Sequence, residues 1–439
     1  MRKFYRLMVS IICKNKKVES HFRYVEKRLR SFIELYIKRK KRYLVNNKVV
    51  ECNKLLELKN KHVFFGYYDL PAISKDGTKL LVQVVEKWAI PGCNKAEIGY
   101  FEISDDEKGY NSISTTGAWC WQQSSRLRWH PLDSGKVLFN DIHENRYVTK
   151  IAEISGKSID AETVIEPALY DISNDFRYGV SLNFSRLERL RPGYGYSALP
   201  DETADIYAPH DDGLFLVDIE YKTSKLIVSL SDLAVRNDKN LTHHHYINCV
   251  SFCPDGRKFL FYHISVPENL PHIMKIEPYV YFIDTGEARL LENDWKTICH
   301  YCWRNNNELM FTVINMSDEL SYVIYSLKEG GYTEVEHSTL KRDGHPSFFM
   351  DEDTFVYDTY PDKFNYQKLF MHNIPNNETE MLADFYHKPV KSVENRCDLH
   401  PRIWENGNKK IITVDTTCTH GLRKVALITM AKEHKSSWV

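Results

Sequence analysis

The stretch Cys253-Pro254-Asp255-Gly256, followed by the run Arg257–His263, sets a pattern that recurs along the whole chain. An Asp-Gly pair supplies the positive φ angles that a tight hairpin turn needs. The run after it alternates in the way that is typical of a strand with one buried face. Similar turns followed by similar runs recur, with strands predicted to start at residues 79, 136, 178, 257, 308, 354 and 409.

The spacing of these copies indicates a β-propeller. Seven copies in about 380 residues give roughly one per 54 residues, which is the length of a four-stranded blade. We therefore predict an all-β fold, a seven-bladed β-propeller, with six or eight blades as alternatives. The predicted domains are a basic helical arm at 1–50, the propeller at 51–432 with an insertion at 185–213, and a tail at 433–439.

Composition and charge exclude several classes of protein. The chain has 439 residues, of which 43% are hydrophobic, so it can bury a core and is not disordered. The formal net charge of zero hides a division between two regions. Residues 1–48 contain 16 basic and three acidic side chains, a charge of +13, whereas residues 49–439 contain 43 basic and 56 acidic ones, a charge of −13. The sequence thus predicts a basic arm on an acidic body.

The basic arm is predicted to form an amphipathic α-helix, because its apolar residues recur at steps of three and four. This stripe consists of Phe22, Val25, Leu29, Phe32 and Tyr36. Through residues 1–48 the arm could adsorb on an anionic membrane surface, or it could dock on the acidic body of its own chain. It has no base-stacking aromatics between its basic residues and no recognisable nucleic-acid module, so we expect no nucleic-acid partner.

The cysteine content bears on the cellular compartment. The chain has ten cysteines and no convincing secretion signal, which favours reduced thiols and a cytoplasmic protein. If the arm binds lipid, the protein would be peripheral at the inner face of the membrane.

Polar and histidine-rich segments lie just upstream of several turns. In a propeller, the same register in different blades faces one central channel, so we expect these segments to converge. Asp398 and His400 are two residues apart and would point to the same side of a strand, where they could bind one cation. His345 and His300, at matching positions of earlier blades, could complete a site for Mn²⁺, Zn²⁺ or a similar ion. Alternatively, Asp398 and His400 hydrogen-bond the neighbouring blade as structural residues.

Further side chains at the channel mouth predict contacts with a substrate. Arg396 and Arg402 flank Asp398 and His400 and could hold an acidic group with paired hydrogen bonds, or could form salt bridges with the acidic rim. Aromatic rings could stack on sugar rings, with core packing as the alternative. The predicted substrate-binding residues are Tyr67, Tyr68, Trp121 and Arg128.

The body resembles the oligogalacturonate lyases and related propellers. The resemblance covers most of residues 60–430 and rests on four motifs and on the position of the long insertion. The motifs are Ser-Lys-Asp-Gly-Thr-Lys-Leu-Leu (74–81), Cys-Pro-Asp-Gly-Arg-Lys-Phe-Leu-Phe-Tyr-His (253–263), Asp-Gly-His-Pro-Ser-Phe (343–348) and Asp-Leu-His-Pro-Arg (398–402). Members of this family are seven-bladed propellers that cleave short uronate oligomers by β-elimination with a divalent metal, typically manganese, held by His and Gln side chains.

The resemblance implies a set of metal ligands. His345 and His400 match two of the family's three His ligands, and Asp398 stands where the third would be. The family's Gln has no clear counterpart, and Asn395 is the nearest candidate.

The catalytic residues of the family match less well. Its catalytic His falls where this chain has Asn248 and Cys249, with His245 just upstream. An Arg expected near residues 214–216 is absent.

Two functions are therefore predicted. The first is a metal-dependent, lyase-like propeller that acts on uronate-containing oligosaccharides or polysaccharides by β-elimination, with His245 or His244 as the base and Arg402 and Arg396 on the carboxylate. The second is a non-catalytic glycan-binding or membrane-associated propeller that assists the biosynthesis of a surface or capsular polysaccharide. The basic arm favours the second function, because degrading uronate fragments requires no membrane-directed helix.

Overall fold

The fold is an all-β, seven-bladed propeller preceded by a helix. The structure is a computed structural model that describes residues 16–38, 40–103, 109–154, 163–237, 241–268, 273–390, 392 and 394–430. Within these ranges the strands form seven antiparallel sheets, which are the blades. No helix of this part of the chain is long and apolar enough to cross a membrane.

The blades follow the chain in order, each running from its inner to its outer strand. Blade 1 contains β3 to β6 (Lys61–Phe64, Lys79–Glu86, Ala96–Glu102 and Tyr110–Thr116). Blade 2 contains β7 to β10 (Arg128–Trp129, Lys136–His143, Arg146–Glu153 and Thr163–Ile165). Blade 3 contains β11 to β14 (Asp171–Ile172, Tyr178–Ser181, Gly213–Asp218 and Thr223–Ser229). Blade 4 contains β15 to β18 (His243–Phe252, Lys258–Pro267, Lys275–Phe282 and Glu287–Leu290). Blade 5 contains β19 to β22 (Thr297–Trp303, Glu308–Ile314, Leu320–Ser326 and Gly331–Val335). Blade 6 contains β23 to β26 (Pro346–Phe348, Thr354–Asp358, Tyr366–Asn373 and Glu378–Tyr386). Blade 7 contains β27 to β29 (Arg402–Asn406, Lys409–Thr416 and Lys424–Met430).

The beginning of the chain completes the last two blades. Strand β2 (Val50–Leu56) pairs with β29 and becomes the outermost strand of blade 7. Strand β1 (Tyr43–Val45) pairs with β26 and adds a fifth strand to blade 6. Because β2 joins the two ends of the chain in one sheet, the ring is closed by backbone hydrogen bonds.

The repeat seen in the sequence is the second strand of each blade. These strands begin within one residue of every predicted start, and the predicted seven-bladed propeller is confirmed. The turn before β4 shows why the motif works. Gly77 has a φ angle of +74°, and the Asp76 carboxylate accepts hydrogen bonds from the Ser74 hydroxyl and from the Thr78 N–H.

A long connection between β12 and β13 covers the range where the insertion 185–213 was predicted. It contains helix α2 (Phe184–Leu190), whose N-terminus is capped by Asn183. The buried Arg186 guanidinium donates to the backbone oxygens of His245, Ile206 and Tyr207. The insertion is thereby fixed against the inner strand of blade 4.

The remaining helices are peripheral. Helix α1 (Lys16–Phe32) continues into a π-helix at Ile33–Ile37, as the amphipathic pattern predicted for the arm. Helix α3 (Leu230–Asn237) follows β14, and a short 3₁₀ helix spans Ser338–Leu340. The predicted arm and propeller boundaries at residues 50 and 432 stay predictions, and the tail at 433–439 lies outside the described residues.

Candidate metal centre in blades 6 and 7

Three side chains predicted as metal ligands lie together in the structure. His345, Asp398 and His400, here called the His–Asp cluster, each offer a ligand atom, and these atoms lie within 4.8 Å of one another. All three residues are buried, with at most 3% of their surface exposed. His345 directly precedes β23, and the other two precede β27, so the inner ends of two adjacent blades build the cluster.

One carboxylate fixes the backbone around both histidines. Asp358, at the end of β24, accepts the backbone N–H of His345 at 2.8 Å and that of His400 at 3.0 Å. It also accepts a hydrogen bond from His345 Nδ1 at 2.8 Å. Sequence reasoning did not single out Asp358, although an acidic residue that ends an alternating apolar strand was a usable signal.

The second histidine is oriented by a backbone carbonyl. His400 Nδ1 donates to the Gly66 oxygen at 2.8 Å. In both histidines Nδ1 is therefore engaged by an acceptor, which leaves Nε2 as the nitrogen for a metal. Metal-binding histidines usually donate their other ring N–H to a carboxylate or carbonyl in this way.

The third member of the cluster is held by an arginine. Arg396 donates to both oxygens of Asp398, with Nε at 2.6 and 2.9 Å and Nη2 at 2.7 Å. Burial alone would raise the pKa of Asp398, but Arg396 outweighs it and holds that pKa well below its usual range. The carboxylate is thus ionised, which is the form that binds a cation.

The pKa values of the two imidazoles shift in opposite directions. Burial, reinforced by the nearby His345, holds the pKa of His400 well below its ordinary value. Burial also opposes protonation of His345, but the Asp358 carboxylate outweighs it and raises the pKa of that imidazole. Asp358 therefore polarises His345, whereas burial and the neighbouring His345 disfavour the charged form of His400.

His300 lies beside the cluster but belongs to a different pair. Its ring centroid is 4.1 Å from that of His345, yet it falls outside the set of described side chains that could share one ion. Its Nδ1 lies 3.0 Å from an Asp343 oxygen, and its Nε2 lies 3.3 Å from the Tyr360 hydroxyl. Burial lowers the pKa of His300 despite the Asp343 carboxylate.

The predicted aromatic residues Tyr67 and Tyr68 line the cluster. The Tyr67 ring is 4.9 Å from the His400 ring, and the Tyr68 ring is 5.1 Å from the His345 ring. The Tyr68 hydroxyl donates to the Tyr301 carbonyl at 2.8 Å, so its polar end is already engaged by blade 5.

A half-buried rim surrounds these tyrosines, and most of it was not predicted. We use the term rim for Arg191, Tyr194, Tyr360 and Arg396. The Tyr194 ring lies 6.3 Å from the Tyr67 ring, and the Arg396 guanidinium lies 4.4 Å from the centre of the Tyr360 ring.

Arg191 is the rim residue that sequence reasoning should have found. Its guanidinium carbon is 5.0 Å from the centre of the Tyr194 ring, and Nη1 contacts the Met274 sulfur. It forms no ion pair with any carboxylate among the described residues. The usable signal was an arginine in the Pro- and Gly-rich turn of the insertion, directly after α2.

Two other predicted site residues, both arginines, form hydrogen bonds and ion pairs outside the cluster. Arg402 donates to Asp415 at 2.8 Å and to Thr413 and the Gly66 carbonyl. Arg128 forms an ion pair with Asp171 at 2.6 Å. These contacts assign both arginines to the packing between strands.

Trp121 is likewise part of the packing around blade 1. Its ring contacts His62 and Phe64, and the Arg423 guanidinium lies 4.7 Å from the ring centre. No described contact joins Trp121 to the His–Asp cluster.

The two predicted bases lie on the inner strand of blade 4. His245 Nδ1 is 2.9 Å from His263 Nε2, and His263 Nδ1 is 3.2 Å from a Glu277 oxygen. The His244 ring packs on Tyr207 of the insertion. No described contact joins either histidine to the His–Asp cluster.

The amide side chains next to the cluster are of interest because the resembling family uses a Gln ligand. Asn395 is exposed, and its backbone oxygen accepts from Arg423. Gln367, in contrast, is fully buried, and its Nε2 lies 3.5 Å from Asp398 Oδ1 and donates to the Cys397 carbonyl. Gln367 Oε1 has no hydrogen-bond partner in the described part of the chain.

Comparison with known proteins places the fold among solved propellers. No protein-family model matches the chain, and no curated protein matches it in sequence. An oligogalacturonate lyase in complex with manganese has a similar structure, with a TM-score of 0.61 and 13% identity over 86% of this chain and 93% of that one. An oligogalacturonate lyase from Vibrio parahaemolyticus is similar with a TM-score of 0.59, again at 13% identity over 86% of this chain and 93% of that one. At this identity the likeness shows the fold, and the chain is therefore an oligogalacturonate lyase-like seven-bladed propeller in its architecture.

Proposed function

We propose that this protein is a metal-dependent, lyase-like propeller that acts on uronate-containing oligosaccharides by β-elimination. The observation that carries the proposal is the buried His–Asp cluster at the inner ends of blades 6 and 7. The likeness of the fold to an oligogalacturonate lyase in complex with manganese supports it.

The cluster fits a divalent metal ion. His345 and His400 would offer imidazole nitrogens whose opposite ring atoms are anchored, and Asp398 would offer an ionised oxygen. A mixed nitrogen and oxygen set of this kind suits Mn²⁺, Zn²⁺ or a similar ion. When bound, such an ion would act as a Lewis acid that withdraws charge from a uronate carboxylate and makes the adjacent proton more acidic.

The rim arginines would recognise the uronate. Arg191 forms no ion pair with a described carboxylate, and its half-buried position lets it form charge-assisted hydrogen bonds with a substrate carboxylate. Arg396 lies between Asp398 and the Tyr360 ring, and 24% of its side chain is exposed. It could therefore contact a substrate while it stays paired with Asp398. The tyrosines of the rim provide flat apolar faces for sugar rings.

His300 is the best-placed proton acceptor. Asp343 orients it through Nδ1, and burial keeps it neutral, which is the form a base requires. In the proposed step His300 Nε2 takes the proton α to the uronate carboxylate, and the glycosidic carbon–oxygen bond at the β carbon breaks. The leaving oxygen takes up a proton, and the new sugar end is unsaturated. His245 and His244 are the alternative bases predicted from the sequence.

The test is an assay of the unsaturated product by its ultraviolet absorbance. We expect product from uronate oligomers with added Mn²⁺, and loss of product in His400→Ala and His300→Ala. His372→Ala serves as the matched control, because His372 is a buried histidine on β25 whose Nδ1 contacts the Thr379 hydroxyl and which has no role in the proposed step. Absence of product from every uronate oligomer, with and without metal, would contradict the lyase proposal.

A specific observation favours the second function, a glycan-binding propeller without catalysis. The negative charge of Asp398 is already compensated by its ion pair with Arg396. In addition, no described contact joins either predicted base of blade 4 to the cluster. In that case the protein would bind an acidic oligosaccharide or polysaccharide in the cytoplasm and assist assembly of a surface polysaccharide. Binding of uronate oligomers with no unsaturated product, unchanged in His300→Ala, would identify this function.

A further inference from the structure

Helix α1 and the π-helix after it dock on blade 6 through polar residues. Asn365 Nδ2 donates to the Ser31 hydroxyl at 2.7 Å and lies 3.4 Å from the Lys27 carbonyl. Lys40 pairs with Asp384 at 3.5 Å and lies 3.5 Å from the centre of the Tyr366 ring. Ser31 and Glu34 are the buried residues of this face.

The apolar stripe of the same segment points away from the propeller. Ser31 and Glu34 follow Leu29 and Phe32 by two positions, or about 200° around a helix, so the two sets occupy opposite faces. The exposed fractions of Val25, Leu29, Phe32, Tyr36 and Ile37 are 50, 60, 53, 61 and 66%. An amphipathic helix on a globular body normally buries its apolar stripe, whereas this one presents it.

Two more exposed apolar side chains lie at the neighbouring edge of blade 6. Strand β1 is the outer strand of that blade, and its Tyr43 and Leu44 are 39 and 40% exposed. Arg42, which precedes β1, donates to the Tyr36 hydroxyl and so connects the helical segment to the strand. We call the seven exposed residues the outer face of the arm. They are Val25, Leu29, Phe32, Tyr36, Ile37, Tyr43 and Leu44.

Cations accompany this apolar surface. Arg28 and Lys41 are exposed, and neither of them pairs with a carboxylate among the described residues. They belong to a region, residues 1–48, that carries 16 basic and three acidic side chains. A second copy that presents its own arm is a poor occupant for the outer face, because two such basic regions would repel each other.

We propose that the outer face of the arm binds an anionic lipid surface, with the apolar side chains inserted among the lipids and the cations on the phosphates. A helix with exposed apolar and basic residues that lies in the membrane plane matches this binding mode. The polar docking face keeps blade 6, and with it the whole propeller, on the aqueous side. This inference rests on the arm alone and not on the His–Asp cluster.

The test is flotation of the full-length protein with vesicles of phosphatidylcholine alone and of an equimolar mixture with phosphatidylglycerol. We expect binding to the mixed vesicles, weakened by salt. Phe32→Glu should lower the affinity by about tenfold or more, and Arg28→Glu by about fivefold or more. Leu132→Glu is the matched control, because Leu132 is 67% exposed on blade 2, across the ring from blade 6, and should leave binding unchanged.

Failure can be recognised without ambiguity, since the substituted side chains are exposed and the variants should fold. Equal flotation of Phe32→Glu and Leu132→Glu, or no flotation of the wild-type chain, would overturn the inference. Self-association of the wild type that Phe32→Glu abolishes, without vesicle binding, would overturn it in favour of a second copy of the chain. Uronate oligomer cleavage is measured separately and does not enter this result.

Discussion

The inner strand of blade 4 and the inner ends of blades 6 and 7 both carry buried histidines, yet they have different partners. In blade 4, His245 contacts His263, which contacts Glu277, and Arg186 of the insertion holds the His245 carbonyl. In blades 6 and 7, His345 and His400 are anchored through Nδ1 and share their surroundings with an ionised carboxylate.

This difference separates a structural use of histidine from a candidate metal centre. A histidine bonded to another histidine can exchange a proton, but it offers no converging set of donors. Two anchored histidines beside a carboxylate do offer one, because each presents its remaining nitrogen while its orientation is fixed. The type and burial of the residues alone would not have distinguished the two regions.

The largest effect is expected from Asp358, which holds the centre together. Asp358→Ala would leave the backbone N–H groups of His345 and His400 and one imidazole N–H without an acceptor in a buried place. We expect a loss of about 3–5 kcal/mol in the free energy of unfolding. Urea denaturation measures it, and Asp358→Asn, which keeps the shape, should lose less. If Glu277→Ala in blade 4 lowers the free energy of unfolding as much as Asp358→Ala does, the two regions depend equally on their carboxylates and the comparison fails.

Metal binding gives the sharpest separation of the two regions. His400→Ala should weaken Mn²⁺ binding by more than about 100-fold, because it removes a ligand of the cluster, whereas His245→Ala should change it by less than about twofold. Isothermal titration calorimetry on the metal-free full-length chain measures both. An equal loss in the two variants would mean that blade 4 contributes to the same site.

A smaller effect is expected from the rim. Arg191→Ala should weaken binding of a uronate oligomer by about tenfold, the value of one charge-assisted hydrogen bond. Arg189→Ala is the matched control, since Arg189 lies in α2 of the same insertion but is paired with Asp201 at 2.8 Å. Fluorescence titration with the oligomer compares the two. An unchanged affinity in Arg191→Ala would remove the rim from the proposed site.

The smallest effect concerns the pH dependence of blade 4. Burial opposes ionisation of Glu277, but His263 and Lys275 outweigh it and lower the pKa of that carboxyl. A lowered pKa stabilises the fold above the ordinary pKa of a Glu, and this stabilisation is lost as the pH falls through the lowered value. We expect the free energy of unfolding of the wild type to exceed that of Glu277→Gln by about 1 kcal/mol at neutral pH. This difference should vanish in acid. Denaturation midpoints across the acid range measure it, and a constant difference would contradict the proposed ionisation.

Much of the fold could be predicted because the propeller repeats its local signals. The Asp-Gly turn at Asp76 and Gly77 has the same chemistry as that at Asp255 and Gly256, and each is followed by the second strand of its blade. Regular spacing of such turns leaves few architectures that bury all the strands. The addition of β1 to blade 6 was not predicted, because a three-residue edge strand carries almost no pattern of its own.

The candidate site could be predicted in part. Asp398 and His400 do lie together, but not through strand alternation, because both precede β27 and His400 has a φ angle of +47°. His345 lies at the matching position before β23 of the neighbouring blade. Arg402 and Arg128 were also predicted to lie at the site. In the structure, however, Arg402 forms an ion pair with Asp415 and Arg128 with Asp171. Asp358 escaped notice because its role depends on the backbone N–H groups of His345 and His400, which precede strands of two different blades. Arg191 escaped notice because its place beside Tyr194 and Met274 depends on the packing of the insertion.

The sequence by itself determined the blade repeat, the starts of the second strands and the amphipathic character of the arm, since these depend on spacing along the chain. Only the tertiary structure decided which buried histidines gather around a carboxylate, and which face of the arm is turned outward. Those outcomes depend on hydrogen bonds between distant residues, such as Asp358 with His400 or Asn365 with Ser31. A pattern of residue types shows that a side chain can form such a bond, but only the packing of the blades selects its partner.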